Sequence, residues 1–218
     1  MSIPKFMYQT FKTKKLPWLT KWHINKLKKR NPTYTYQFFD DEMIDVFIKE
    51  NFDEETNSLF QKINIGAAKA DFFRYAILYK KGGVYLDIDS LILKKLDTFI
   101  LPTDCAIIAK ENNGNIYVQW GLIFEAGHPF LKKTLDIIID NLKENKYPYD
   151  VHKMTGPTAF TEAIVSCLKE NKNIVYRELG TDYDGMLKFS YPMSKLALYG
   201  FSKRNHWKKQ VFQKPVLK

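Results

Sequence analysis

Residues 67–89 constrain this chain more than any other stretch. Residues 67–81 run without Gly or Pro and close on Gly82-Gly83, a strong helix-ending signal. Val84-Tyr85-Leu86 then reads as a short buried strand that ends at Asp87-Ile88-Asp89. In an extended chain, residues i and i+2 point to the same side. The two carboxylates are therefore expected to converge beyond the strand's carboxyl end, where open α/β sheets bind ligands. Held that close they repel, and one takes up a proton unless a cation neutralises them. An all-oxygen carboxylate pair suits Mg²⁺ or Mn²⁺, with coordination positions left for a diphosphate.

On the preceding helix, Asp71 and Arg74 are three residues apart and share a face. An exposed pair of this kind contributes little to stability. Here Phe72, Phe73, Tyr75, Ala76, Ile77 and Leu78 leave little room for an exposed face. Charged groups on a largely buried helix fit hydrogen bonding to a polyhydroxylated ligand.

The remaining pattern is β-α-β-α traffic, the mark of a layered α/β domain. Residues 3–9 and 34–39 read as strands, with a helix over 16–30 whose apolar positions are Leu16, Leu19, Trp22 and Leu27. Asp40 and Asp53 are candidate N-caps for two short helices. Residues 105–109 and 122–124 read as strands, and 129–142 and 156–169 as helices. In a largely irregular last quarter, 174–176, 187–189 and 196–199 are the strand candidates. Trp18 and Trp120 are expected in the core or in an acceptor groove.

Charge is unevenly spread. There are 34 Lys/Arg against 24 Asp/Glu, yet residues 1–39 hold nine of the basic residues and no acid, and 185–218 hold eight and no acid. The middle is therefore acidic, which argues against a uniformly basic nucleic-acid binder and for carboxylates gathered at a site. Cys105 and Cys167 sit in apolar segments as expected buried free thiols, and without a C-x-x-C or a His-x-x-x-His there is no zinc pattern. No apolar run approaches the roughly 20 residues of a membrane span, and the first residues lack a signal-peptide core. A cytoplasmic protein is the expectation, with the basic ends able to dock on an anionic membrane face.

Ala68-Lys69-Ala70-Asp71-Phe72-Phe73-Arg74-Tyr75, with Leu78 and Gly82-Gly83-Val84-Tyr85-Leu86-Asp87-Ile88-Asp89, strongly resembles the D-x-D sugar-binding region of glycosyltransferase family thirty-two. That family's pattern is A-x-x-S-D-x-x-R-Y-x-x-L, a spacer, then G-G-x-Y-x-D-x-D; this chain departs at Ala70. Residues 3–11, Asn31-Pro32 with Tyr36 and Asp40-Asp41-Glu42, Gln119-Trp120-Gly121, Gly127-His128-Pro129 and Thr155-Gly156-Pro157 match further motifs in order. The family includes yeast initiating mannosyltransferases and bacterial capsule enzymes.

The resemblance implies a single GT-A domain over residues 1–218, with a mainly parallel central sheet flanked by helices. It implies retaining transfer of a sugar from a UDP- or GDP-sugar to a glycan or glycolipid acceptor, dependent on Mn²⁺ or Mg²⁺. By the same resemblance Asp87 and Asp89 hold the metal and diphosphate, and Asp71 and Arg74 bind donor-sugar hydroxyls. Tyr8, Gln9, Thr10 and Tyr85 lie near the nucleotide. Members end in a His before Ser-Trp; here the tail reads Asn205-His206-Trp207, so His206 is the candidate third metal ligand, Trp207 a donor contact, and the basic 185–218 segment a lid. Two other readings stay open: a haloacid-dehalogenase-like phosphatase using the first Asp, though Leu91 stands where that motif wants Thr or Val, and a catalytically dead sugar-nucleotide-binding protein.

Overall fold

The computed structural model describes residues 2–111, 114–200 and 214–218. Its first elements are β1 (Phe6–Thr10), α1 (Trp18–Arg30), β2 (Thr35–Phe39), α2 (Asp41–Asn51), α3 (Glu54–Lys62), α4 (Gly66–Lys81) and β3 (Gly83–Leu86). They are followed by β4 (Leu91–Ile92), β5 (Ala106–Ala109), β6 (Gly121–Phe124), α5 (Pro129–Lys143), α6 (Val151–Met154), α7 (Pro157–Glu170), β7 (Arg177–Leu179) and β8 (Leu187–Lys188). The helix starts follow local chemistry. The Asp40 carboxylate accepts from the Met43 amide at 3.0 Å and Asp53 from the Thr56 amide at 2.7 Å, each satisfying a donor that the first helical turn leaves open.

The main sheet has the order β2-β1-β3-β6-β5-β7. β1 runs parallel to both β2 and β3, and β5 parallel to β7, while β6 is antiparallel to β3 and β5. Five of the six strands thus share one direction. Alternation along the strands splits the core in two. Tyr8, Tyr85, Ala106, Ile108, Leu122 and Phe124 face the layer of α2 to α7. Met7, Val84, Leu86, Ile107, Ala109 and Ile123 face the opposite side with Leu27 of α1, Leu96, Tyr183 and Leu187. Both faces are covered, so the strands read as continuous apolar runs. Among the described residues, no helix is long and apolar enough to cross a membrane.

α4 is buried nearly all round, from Ala68 to Leu78, and ends where the Gly82 amide donates to the Leu78 carbonyl at 2.8 Å. Gly82 has φ +63° and ψ −177°, a conformation reserved for glycine. A β-carbon there would lie 2.7 Å from the Ala126 nitrogen and 2.8 Å from the Pro4 ring. Gly82→Ala should therefore cost about 1–3 kcal/mol, seen as a lowered urea midpoint at unchanged slope.

Three expectations are corrected here. Residues 194–199 form a short helix, Ser194–Tyr199, not a strand, because they turn to pack Leu198 against Ile24 of α1. The strand expected at 174–176 lies three residues later, as β7, where its register pairs Ile107 with Arg177. Trp18 is 77% exposed, not a core residue, and Trp22 is 49% exposed; the buried side of α1 is Thr20, Ile24 and Leu27. Trp120 is buried as expected; both cysteines are free, Cys167 buried as expected but Cys105 only partly buried. β4, paired with β8 in a separate two-stranded sheet, has no counterpart in the sequence expectations.

Candidate active site

Counting residues explains why a helix and a strand meet at one site. Asp71 lies eleven residues before Gly82, about 16 Å along a helix. Asp87 lies five residues after it, about 16 Å along a strand. The fold-back at Gly82-Gly83 therefore brings Asp71 and Arg74 level with the carboxyl end of β3. After β1 the chain turns outward to β2, and after β3 it proceeds the other way across the sheet. Asp87 follows β3 at that reversal, the crevice where open α/β sheets bind ligands.

Arg74 is the hub. Its guanidinium lies 3.1 Å from Asp87 Oδ1 and 3.3 Å from Asp71 Oδ1, and donates to the Gln119 carbonyl at 2.9 Å. It also sits 4.9 Å over the Tyr85 ring. Burial works against the Arg74 charge, but Asp87, Tyr85 and Asp71 outweigh it and push its pKa up. Tyr85 donates to the same Asp87 oxygen at 3.2 Å, and Gln9 donates to the Asp87 carbonyl at 3.0 Å, itself receiving the Tyr36 hydroxyl. The Asp87 amide donates to the Trp120 carbonyl at 2.7 Å. Side chain and backbone of Asp87 are thus fixed from three directions.

Asp71 is buried, receiving Gln119 Nε2 and the Thr155 hydroxyl, each at 3.1 Å. Gln119 is held in turn by Tyr75 at 2.6 Å. Burial raises the Asp71 carboxyl to about 7, although Arg74 and Thr155 favour its charged form.

The D-x-D itself is not extended. The Ser90 amide donates to the Asp87 carbonyl at 2.9 Å, so residues 87–90 form a turn, and the two carboxylates are brought together by that turn and not by strand alternation. Ile88 between them is buried with Ile24 and Leu198. The second Asp differs from the first. Asp89 is raised to about 6 by partial burial and then by the Asp87 charge, with Ser194 and Lys195 opposing. Its carbonyl receives the Tyr191 amide at 2.8 Å. Tyr191, Ser194 and Lys195 also line a cleft of about 520 Å³. Asp71 and Asp87 share the one Arg74 guanidinium and the Asp87 charge bears on Asp89, so the oxygen donors of Asp87 and Asp89 fit a divalent cation.

The other expected contacts divide. Tyr8 is packed into the core beside Phe6 and Phe39, and the Thr10 hydroxyl donates to the Phe39 carbonyl. Gln9 and Tyr85 act on Asp87 as described. His206 and Trp207 lie outside the described residues, and among those described no group of three or more His, Cys, Asp or Glu is arranged to hold a metal. Gln119, Thr155 and Tyr75 belong to the network although no role for them follows from the sequence. The signal for the first two is their place in matched motifs; what is missing is the antiparallel pairing of β6 with β3 and the packing of α6 and α7 on α4.

Against this geometry, comparison with known proteins is specific. The family described as the glycosyltransferase sugar-binding region containing the DXD motif matches residues 17–106. An uncharacterised glycosyltransferase of Acanthamoeba polyphaga mimivirus is 35% identical over 156 residues, covering 70% of this chain and 60% of the relative. The initiation-specific α-1,6-mannosyltransferase of Candida albicans is 26% identical, over 74% of this chain and 52% of its own. A mannosyl phosphorylinositol ceramide synthase of Saccharomyces cerevisiae is 29% identical, over 94% and 52%. The chain thus spans between half and about 60% of the length of these relatives. In three dimensions it is similar to the PaToxG glycosyltransferase at a TM-score of 0.62 and 19% identity, covering 78% of this chain and 70% of that one. The mainly parallel sheet is a GT-A fold. Residues 17–106 thus match the glycosyltransferase sugar-binding region that carries the D-x-D motif, and over 70% or more of its length the chain is similar to glycosyltransferases.

Proposed function

We propose that the chain is a metal-dependent, retaining glycosyltransferase that moves a hexose from a nucleotide diphosphate to a glycan or glycolipid acceptor. Mannose is the first candidate sugar, since two of the relatives named above are mannosyl enzymes by name. The observation that carries the reading is the asymmetry of the D-x-D turn. Asp87 is immobilised by Arg74, Tyr85 and Gln9, whereas Asp89 is only partly buried and interacts with Tyr191, Ser194 and Lys195, which line an open cleft. A rigid carboxylate beside a more accessible one is the arrangement expected for holding a cation and the diphosphate attached to it.

In this reading Asp87 and Asp89 hold Mn²⁺ or Mg²⁺ together with the diphosphate. The bound ion supplies charge stabilisation to the departing nucleotide diphosphate. Asp71 accepts hydroxyls of the donor sugar, and Arg74 holds Asp71 and Asp87 in register beneath it. Gln9, Thr10 and Tyr85 bound the nucleotide side. The choice between UDP and GDP follows from the donor panel below.

That panel is thermal stability against UDP- and GDP-sugars with and without Mn²⁺. A ligand bound only to the native state stabilises it by mass action, by about 2.7 kcal/mol at a concentration of 100 Kd, and so raises the midpoint. The expected result is a rise that needs both the metal and one sugar-nucleotide, which also identifies the donor. A rise with Mn²⁺ alone and none with any donor would overturn the reading.

A further inference from the structure

The exposed side of α1 has an unusual composition. Trp18 and Trp22, one turn apart, are 77% and 49% exposed, although tryptophan is among the residues most costly to leave in water. On a helical projection Asn25 and Lys29 share their face, flanked by Lys21 and Lys26. These four are exposed, and Lys26 Nζ lies 5.0 Å over the Trp22 ring. No acid occurs anywhere in residues 1–39, so nothing on this helix neutralises its lysines. Lys12 and Lys15, just ahead of it, are exposed as well.

This face stands close to the D-x-D turn. The opposite side of α1 contributes Ile24 to the cluster that contains Ile88. Trp22 meets His23 edge-on at 4.7 Å, His23 stacks on Tyr191 at 4.0 Å, and the Tyr191 amide holds the Asp89 carbonyl. The Tyr191 hydroxyl is also 2.8 Å from Thr20 of α1. One helix thickness, about 10 Å, therefore separates the tryptophans from the turn.

We propose that the Trp18–Trp22 face of α1 is a docking surface for an anionic lipid bilayer. Indole rings settle at the headgroup level, where one edge is apolar and the other wet. Lysines beside them are drawn to the negative surface potential of anionic leaflets. A protein partner would have to supply matching acids and a shaped pocket; a bilayer supplies both charge and depth without shape. The binding itself is independent of sugar transfer. Only its consequence, that a lipid-borne acceptor is delivered beside Asp89, rests on the function proposed above.

The test uses the full chain with vesicles of phosphatidylcholine alone, or of equal parts phosphatidylcholine and phosphatidylserine, at low salt. Sedimentation should show binding to the anionic vesicles and not to the neutral ones. Brominated lipids should quench tryptophan emission, since bromine quenches only rings that enter the headgroup region. The Trp18→Ala/Trp22→Ala variant keeps every charge; it should bind at least tenfold more weakly and lose the quenching, with an unchanged thermal midpoint. Absence of binding, or undiminished binding or quenching in that variant, would overturn the proposal. So would an equal loss of affinity for polyuridylate, which would mean that the rings stack on nucleobases. Failure here with a positive donor panel would leave the transferase reading standing, and the reverse result would leave the docking surface standing.

Discussion

Replacing Asp89 with Asn should leave the protein folded and remove its metal-dependent hold on the donor. The change is nearly isosteric at a partly exposed position of a turn that is held by backbone bonds from Ser90 and Tyr191. It also removes a penalty. The Asp89 carboxyl is raised to about 6, from an ordinary 3.8. A raised acid contributes stability below its unfolded value and forfeits it as pH climbs to the folded one. Above pH 6 the wild type therefore carries the cost of an ionised Asp89 that Asp89→Asn does not. The ligand-free midpoint should hold or rise slightly at pH 7.5. Turnover should fall by about 10²-fold or more, some 2.7 kcal/mol of lost transition-state stabilisation. The joint rise in midpoint with Mn²⁺ and donor should vanish. An unchanged metal requirement in this variant would refute the assignment of Asp89.

Arg74→Ala should produce the largest loss of stability of any single change at the site. Asp71 and Asp87 both rely on that guanidinium, and removing one partner from a buried ion pair costs about 3–5 kcal/mol because the other charge is stranded. The pH dependence identifies the cause. Burial already places Asp71 at about 7 in the folded state, and Arg74 is the main group opposing that rise. Without Arg74 the folded value climbs further, so protonation relieves the defect as pH falls toward the unfolded value near 3.8. Urea unfolding should show a deficit that is large at pH 8 and smaller at pH 5. Adding Asp71→Asn to Arg74→Ala should recover part of the deficit at pH 8, a coupling expected between residues in contact. A deficit independent of pH would mean that Arg74 contributes only packing.

The central unit of the fold can be read from sequence because its signals are local. A long interval without Gly or Pro, two glycines and an apolar triplet leave one arrangement for α4 and β3, and Asp71, Arg74, Asp87 and Asp89 are then the only carboxylates and guanidinium on it. What escapes is set by distant partners. Gln119 enters the network because β6 pairs antiparallel with β3, and strand order is not written in residues 119–124. Thr155 reaches Asp71 across 84 positions of sequence. Residues 196–199 are a short apolar run that reads as a strand, yet they coil because Leu198 has a place beside Ile24 and Ile88. The apolar reading of α1 fails for a related reason. Trp22 counts as apolar in any periodicity, but Thr20, with a hydroxyl partner in Tyr191, takes the inward position.

The fold-back at Gly82-Gly83 works as a ruler with two scales. One arm is graduated at about 1.5 Å per residue and the other at about 3.3 Å, and the readings coincide at Asp71 and Asp87. An insertion of one residue in α4 would slide Asp71 and also swing it by about 100° around the helix, whereas one in β3 would turn Asp87 to the other face of the sheet. Neither arm can compensate for the other, since their increments differ in both length and rotation. The spacing between the helical pair and the carboxylate turn is therefore a quantity this architecture can inherit whole or lose, with no intermediate lengths open to it.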